Sequence, residues 1–219
     1  MMKQNIKRNS KWSFLIGALL ILVAVALYGS NRIEDVQARQ QVKSILLEFH
    51  EQASIPERFY QPELYLPSGL DVERYLPDYI LNSDMEMPVM EIDGNLYVGS
   101  LYFPVLELEL PVMSGWSYAN LRIAPCMYTG SIYRDNAVIA AHNYTSHFGQ
   151  LSKLTPGDAV AFTDIDGNVF FYEIAILEVI DPSNTEEMIS SGFDLSLFTC
   201  TPGGAARFTV RCMRIPMVR

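Results

Sequence analysis

An uncharged apolar run near the N-terminus limits the fold of this chain more than any other feature. It covers residues 12–28, close to the ~20 helical residues that cross a hydrocarbon core of ~30 Å. Inside lipid a single segment satisfies its backbone polar groups only as a helix. We therefore predict a transmembrane signal-anchor over residues 12–30. Because Lys and Arg are concentrated in residues 1–11, this basic segment is predicted to be cytoplasmic and the remainder of the protein extracellular.

A cleaved signal peptide is the alternative interpretation of the same run. Ala24 and Ala26 have the small-residue spacing that typically precedes a cleavage site. The run is longer than the about 7–15 residues usual for a signal-peptide hydrophobic region, which favours the retained anchor. Under either interpretation the following domain functions outside the cytoplasm. With the anchor retained, we expect a single-pass protein of the cell membrane.

The charge of the chain excludes one class of partner. The 219 residues carry a net charge of −9, and the part after residue 11 holds twelve basic and 25 acidic side chains. Such an acidic body repels a phosphate backbone, so no nucleic-acid binding is expected. With 49% hydrophobic residues, the chain can bury a sizeable core and is not intrinsically disordered.

Two segments separate the apolar run from residue 90. Asn31 and Glu34 have the spacing of a helix N-cap and its N3 partner. Apolar residues then recur at near-helical spacing: Ile33, Val36, Val42, Ile45, Leu46 and Phe49. We predict an amphipathic stalk helix over residues 31–54. Residues 55–90 contain five prolines and four tyrosines, which indicates an ordered, irregular wrap or lid over the core. Stalk and wrap together occupy residues 31–89.

From residue 90 the hydrophobic period becomes two, the period of a half-buried strand. The predicted strands are 96–103, 106–110 between Pro104 and Pro111, 137–141, 159–163, 169–180, 195–200 and 207–215. Turn residues join the fourth strand to the fifth and the sixth to the seventh as hairpins. Helical signal is limited to short pieces near 117–123, 146–154 and 184–191. This pattern predicts a mainly β domain over residues 90–219, a closed barrel or a sandwich.

The chain has three cysteines, Cys126, Cys200 and Cys212. An odd number in an exported protein leaves at least one thiol unpaired. A Cys126–Cys212 disulfide is one alternative, because the compartment permits it. In the other, Cys212 lies on the strand face opposite Arg207 and is packed in the core. No zinc-ligand or H-E-x-x-H spacing is present, so neither a metal nor another cofactor is predicted.

Cys200 and His142 are the candidates for chemistry. Each follows or ends a predicted strand, which would bring both side chains to one rim of a barrel. If Cys200 and Arg207 bracket a tight hairpin, they face each other with Cβ atoms ~5 Å apart. Arg211 shares that face but lies ~13 Å further along the strand. An imidazolium or guanidinium beside a thiol favours the nucleophilic thiolate, so the pattern predicts nucleophilic catalysis.

These residues resemble a known family, the sortases, which are extracellular cysteine transpeptidases of Gram-positive bacteria. Residues 197–212, LFTCTPGGAARFTVRC, are similar to the family's Leu-x-Thr-Cys strand and the Arg strand that returns from it. Residues 138–151, VIAAHNYTSHFGQL, are similar to its His segment. The stretches TPGD at 155–158 and LYFPVLELELPV at 101–112 also match in kind. The ordered set of four motifs covers residues ~90–215, and it is the order that makes the resemblance specific.

The resemblance implies an eight-stranded sortase-like β-barrel with Cys200 as nucleophile, His142 as general acid and base, and Arg207 beside the substrate carbonyl. It also implies the reaction: cleavage of a C-terminal sorting motif in a secreted protein through a thioester, and transfer to an amine acceptor of the cell wall. A pilin-polymerising sortase, with a pilin amine as acceptor, is the alternative within the family. Outside it, the alternatives are a catalytically silent extracellular binding barrel and, less favoured by the many strands, a papain-like hydrolase.

Two features depart from the family pattern. Ala141 stands where a glycine commonly precedes the histidine, which restricts the backbone at that point. The turn between Cys200 and Arg207 has six residues, which is short for the family. This short turn keeps Arg211 as a competing candidate for the arginine of the site.

Overall fold

One long helix, α1 (Gln4–Gln52), contains both the apolar run and most of the predicted stalk. The computed structural model describes residues 4–52, 77–190 and 192–216. The helix passes through residue 31 without a break, so the predicted N-cap at Asn31 is wrong. No proline lies between residues 12 and 52, and extending an existing helix is easier than nucleating a second one. The chain divides into two compact units, Met1–Gln37 and Ala38–Arg219.

The first unit consists of the apolar part of α1. Its large side chains are exposed, for example Leu20 at 63% and Leu22 at 66%. Among the described residues, α1 is the helix that is long and apolar enough to cross a membrane. An apolar N-terminal helix of this kind is compatible with a membrane anchor.

In the second unit, the C-terminal part of α1 contributes to the core. Its buried residues recur every three or four positions: Ala38, Val42, Ile45 and Phe49. Ile33 and Val36, which the sequence placed on the same stripe, are exposed at 60% and 55%. The predicted amphipathic face is therefore confirmed only from Val42 onward, where barrel residues are available to cover it.

The rest of the described chain contains nine strands, three short α-helices and three 3₁₀ segments. The strands are β1 (Met90–Ile92), β2 (Asn95–Phe103), β3 (Leu108–Met113), β4 (Cys126–Thr129), β5 (Ala137–Ala140), β6 (Ala159–Asp164), β7 (Val169–Ile180), β8 (Leu195–Cys200) and β9 (Arg207–Arg214). The helices are α2 (Asp78–Leu81), α3 (Tyr118–Leu121) and α4 (Thr185–Ile189). Single 3₁₀ segments cover Pro104–Leu106, Ile132–Arg134 and Phe148–Lys153.

Eight of these strands close into a barrel in the order β2-β3-β4-β5-β8-β9-β7-β6, and β6 pairs back with β2. The short β1 adds to the start of β2 outside this circuit. Gly99 pairs with both β3 and β6 at the closure. A Cβ atom at this position would overlap the carbonyl oxygen of Thr163, so glycine is what lets β2 and β6 approach. The predicted closed eight-stranded barrel is confirmed.

The predicted strand at 106–110 is displaced in the structure. Residues 104–106 form a 3₁₀ turn, and β3 then continues through Pro111 to Met113. Proline lacks a backbone N–H and would interrupt a strand that is paired along both sides. Pro111 is accommodated because β4 pairs with β3 only at Met113. The sequence pattern also missed β1 and β4, which have three and four residues.

The described part of the predicted wrap lies at the barrel end remote from Cys200. Tyr79 of α2 is 8% exposed, and its ring stacks on Tyr133 at 4.9 Å and lies 5.0 Å from Phe170. Tyr133 precedes the start of β5, whereas Cys200 ends the parallel strand β8. Residues 55–76 of the predicted wrap or lid lie outside the described residues.

Candidate active site

Three neighbouring strands, β5, β8 and β9, bring the candidate residues to one edge of the barrel. In the parallel pair β5–β8, Ala140 is opposite Phe198, and the amide of Ala141 donates to the Phe198 carbonyl at 3.1 Å. His142 and Cys200 each lie two residues beyond that pair. Neighbouring parallel strands run about 4.8 Å apart and end on the same side, so positions 142 and 200 are adjacent at this edge.

Cys200 is opposite Arg207 in the antiparallel pair β8–β9, which confirms the predicted hairpin register. The inward positions on these two strands are fully buried: Leu195, Leu197, Val210 and Cys212. Because side chains alternate between faces along a strand, Cys200 and Arg207 point to the outer face of the barrel wall. Both are partly exposed. The site therefore lies on the outer surface at the barrel edge and not inside the barrel.

The turn between Cys200 and Arg207 is ordered by its own hydrogen bonds. The Thr201 amide donates to the Ala206 carbonyl at 2.9 Å, and the Ala206 amide donates to the Thr201 hydroxyl at 3.0 Å. Nη1 of Arg207 donates to the carbonyls of Gly204 and Ala206 at 3.4 and 3.3 Å. Among the described residues no carboxylate forms an ion pair with Arg207. Its positive charge beside Cys200 is therefore not neutralised by an acidic side chain there.

Arg211, the competing arginine, is completely buried. Its Nε donates to Glu178 at 2.7 Å, Nη1 to the Ser196 hydroxyl at 2.7 Å and the Met188 carbonyl at 3.0 Å, and Nη2 to the Glu187 carbonyl at 2.7 Å. These bonds join β9 to β7, to β8 and to the segment around α4. Because its donors are occupied by the protein, the structure favours Arg207 as the arginine beside Cys200.

His142 begins a tight loop that contains two further rings. The His142 and Tyr144 centroids are 4.8 Å apart, and those of Tyr144 and His147 are 5.3 Å apart. The Phe148 amide donates to the His142 carbonyl at 3.1 Å. No role for either ring is predicted from the sequence. The spacing H-x-Y-x-x-H is the available signal, because a loop this short keeps such residues close together.

Comparison with known proteins assigns the family. The sortase-domain family model matches residues 101–215, more than half of the chain. This chain belongs to the sortase family. A search of curated proteins gave no match.

Several solved sortases resemble this structure. Sortase C1 from Streptococcus suis is 29% identical, with 56% of this chain and 74% of that chain covered and a TM-score of 0.48. Sortase C-1 from Streptococcus pneumoniae is 30% identical, with coverages of 59% and 71% and a TM-score of 0.48. Sortase C1 of GBS Pilus Island 1 is 23% identical, with 86% of both chains covered and a TM-score of 0.50. This third likeness concerns the fold alone.

The residue before His142 is accommodated in this sortase by the barrel core. Ala141 is 6% exposed and belongs to the main hydrophobic cluster. Its methyl group occupies an inward position, on the same side as Ile139. The departure from the usual glycine therefore adds a contact in the core.

An apolar floor adjoins Cys200 on the outer face of the sortase barrel. Phe198 packs against Val138, Ile180 and Met188. Its ring is edge-on to Tyr128 at 5.3 Å, and Tyr128 in turn lies 5.3 Å from Trp116. Such a floor can bind the apolar side chains of an extended peptide whose backbone passes the thiol.

The other two cysteines are separated from this site. All three thiols are free, so the Cys126–Cys212 disulfide is wrong. Cys126 and Cys212 are both fully buried and belong to different clusters of the core, which confirms the alternative that Cys212 is packed there. Burial raises the pKa of each thiol to about 12, so both remain protonated at neutral pH. Cys200 is the partly exposed thiol of the three.

Proposed function

We propose that this sortase is a cysteine transpeptidase in which Cys200 is the nucleophile, His142 the general acid and base, and Arg207 the residue that stabilises the oxyanion. The observation that carries the proposal is the alignment of β5, β8 and β9, with Cys200 opposite Arg207 and His142 at the adjacent strand end. The outward, partly exposed position of Cys200 supports it, because an incoming peptide can reach the sulfur.

In the first half-reaction the Cys200 thiolate attacks a backbone carbonyl of the substrate. Arg207 supplies positive charge where the carbonyl oxygen becomes negative. The carbon–nitrogen bond then breaks, and protonated His142 gives its proton to the departing amine. The products are a thioester on Cys200, a released C-terminal peptide and a neutral imidazole.

In the second half-reaction an amine attacks the thioester carbonyl. Neutral His142 accepts the proton that the amine loses as the new carbon–nitrogen bond forms. The carbon–sulfur bond breaks and restores the thiolate, so the site returns to its starting charge. An amide replaces an amide, and the two half-reactions need no external energy source.

The proposed substrates are secreted proteins with a C-terminal sorting motif, and the proposed acceptor is an amine of a cell-wall peptide. An acceptor at the cell surface agrees with the apolar N-terminal helix, which we propose anchors the enzyme in the membrane with the barrel outside. The apolar floor at Phe198, Tyr128 and Trp116 supports a peptide substrate that presents apolar side chains.

Mass spectrometry of the full chain in detergent tests the reaction. The protein is incubated with a set of sorting-motif peptides and with either a cell-wall stem peptide or a pilin-derived lysine peptide. We expect a thioester on Cys200 and a product joined to the cell-wall peptide. Joining to the lysine peptide instead would identify a pilin-polymerising enzyme, and neither thioester nor product with any peptide would indicate a silent binding barrel.

Substitutions test the proposed roles of Cys200 and Arg207. Cys200→Ala is expected to abolish thioester and product, and Arg207→Ala to lower kcat by ~10²–10³, as for loss of one oxyanion donor. Cys126→Ala is the matched control, because its thiol is buried elsewhere in the core, and it should still form the thioester. Full activity of Cys200→Ala would refute the nucleophile.

A further inference from the structure

The loop that carries His142 contains two rings to which the proposed reaction gives no role. The Tyr144 ring lies 4.8 Å from the His142 ring at an interplanar angle of 31°, and 5.3 Å from the His147 ring at 51°. Tyr144 therefore lies between two imidazoles. His147 is completely buried, whereas His142 and Tyr144 are partly exposed. The stack thus runs from the core to the surface and ends at His142.

The supporting side of this stack is rigid. The amides of His147 and Gly149 both donate to the Tyr144 carbonyl at 2.9 Å. The next residue, Phe148, is 1% exposed, and its ring is edge-on to Phe103 in the core at 6.2 Å. Tyr144 is therefore fixed through its backbone and through His147, and it can limit the orientations available to His142.

We infer that Tyr144 is a positioning residue for His142, which holds the imidazole in place by ring contact and favours its protonated form. The face of an aromatic ring attracts a cation that lies within about 6 Å of its centroid, and a tilted stack at 4.8 Å satisfies this condition. The inference rests on the proposed role of His142, because a general acid must carry its proton when the amine departs.

Other groups at the barrel edge affect the same proton. Cys200 occupies the adjacent strand end and Arg207 the strand beyond it. A thiolate at Cys200 favours an imidazolium at His142, and the guanidinium of Arg207 opposes it. The Tyr144 ring adds an attraction from the loop side, and this attraction persists after the thiolate has become a thioester. It therefore acts at the stage when the proton is transferred to the departing amine.

Substitution at Tyr144 in the full chain in detergent tests the inference. Tyr144→Phe retains the ring and should behave like the unaltered protein. Tyr144→Leu should lower the pH midpoint of His142, measured by NMR of labelled histidine, and lower kcat by about three- to tenfold, with KM within about twofold. Phe171→Leu is the matched control, since Phe171 is an exposed aromatic residue of β7. If Tyr144→Leu titrates and turns over like Tyr144→Phe, the inference is wrong.

A second series decides the question if Tyr144→Leu does not fold. Phenylalanine analogues with one, two and three fluorine atoms at position 144 keep the ring shape and progressively weaken its attraction for cations. We expect the pH midpoint of His142 to fall stepwise along the series, and a constant midpoint would overturn the inference. The titration does not depend on peptide cleavage. An active Cys200→Ala variant would refute the proposed reaction without changing this result.

Discussion

At the residue scale, identical side chains differ in chemistry because of their surroundings. Cys126 and Cys212 are fully buried, whereas Cys200 is partly exposed at the end of β8. Similarly, Arg211 is buried among hydrogen-bond acceptors, whereas Arg207 donates to carbonyls of its own turn. Cys200 and Cys212 differ because they lie on opposite faces of the paired strands β8 and β9. Arg207 and Arg211 lie on the same face and differ because α4 supplies carbonyl acceptors to Arg211.

Selective alkylation tests the difference among the cysteines. At pH 8 a thiol of pKa about 12 is thiolate in only ~0.01% of molecules, and Cys126 and Cys212 are also shielded by the core. We expect iodoacetamide to modify Cys200 alone in the folded full chain, as mapped by mass spectrometry of peptides. Unfolding in guanidinium should expose all three thiols, which serves as the control. Comparable modification of Cys126 or Cys212 in the folded protein would contradict the structure.

At the element scale, Arg211 holds the connection between β7 and β8 against the barrel. It donates to the carbonyls of Glu187 and Met188, both in α4. The Met188 side chain is 5% exposed. The same guanidinium reaches Ser196 of β8 and Glu178 of β7. One side chain therefore fixes the position of α4 next to the apolar floor that adjoins Cys200.

Loss of this arginine should destabilise the fold. Arg211→Met leaves the buried Met188 carbonyl, the partly buried Glu187 carbonyl and the Glu178 carboxylate without this donor, and we expect the free energy of unfolding to fall by about 3 kcal/mol. Glu178→Gln is the matched comparison. The Glu178 side chain is 30% exposed, and the amide still accepts from Arg211, so the loss should be below about 1 kcal/mol. Denaturant unfolding in detergent measures both, and equal effects would show that Arg211 acts only through this ion pair.

The loop of His142 depends on a glycine. A Cβ atom at Gly149 would lie 2.5 Å from the Asn143 carbonyl oxygen and 2.6 Å from that of Tyr144, so Gly149→Ala must shift the loop. We expect a lower thermal unfolding midpoint, corresponding to about 1–3 kcal/mol, and a lower kcat for peptide cleavage. Gly115→Ala is the control, because nothing lies within 4 Å of its Cβ position. Unchanged kcat in Gly149→Ala would show that the loop can move without displacing His142.

The sequence predicted elements well where one physical rule dominates. Alternating hydrophobicity located β7, β8 and β9, and turn residues fixed the pairing of Cys200 with Arg207. Local patterns failed where tertiary contacts decide: β4 has four residues, and its pairing with β3 and β5 defines it. The four hydrogen bonds of Arg211 likewise depend on distant segments, which no local period records. The stack of Tyr144 between two histidines is local, but no hydrophobic period marks it.

At the scale of the whole molecule, apolar side chains are buried in the barrel but exposed along the N-terminal part of α1. The barrel buries its apolar side chains within the protein, from Leu101 on β2 to Val210 on β9. In the N-terminal part of α1, apolar side chains such as Leu19 and Leu20 are exposed at 61% and 63%. A run of exposed leucines is unfavourable in water, and this part of the helix is compatible with a membrane anchor.

Charge insertion tests whether a bilayer provides that surrounding. Arginine at the centre of a membrane helix costs about 3 kcal/mol per residue on insertion scales. We therefore expect the double variant Leu19→Arg with Leu20→Arg to shift most of the protein from the membrane to the soluble or degraded fraction. Leu47→Arg is the matched control: Leu47 belongs to the same helix and is 65% exposed, but it lies outside the apolar run. Carbonate extraction and immunoblotting measure the distribution. If the double variant resists extraction as well as Leu47→Arg does, residues 12–30 are not the anchor, and attachment to the cell surface must depend on another part of the protein.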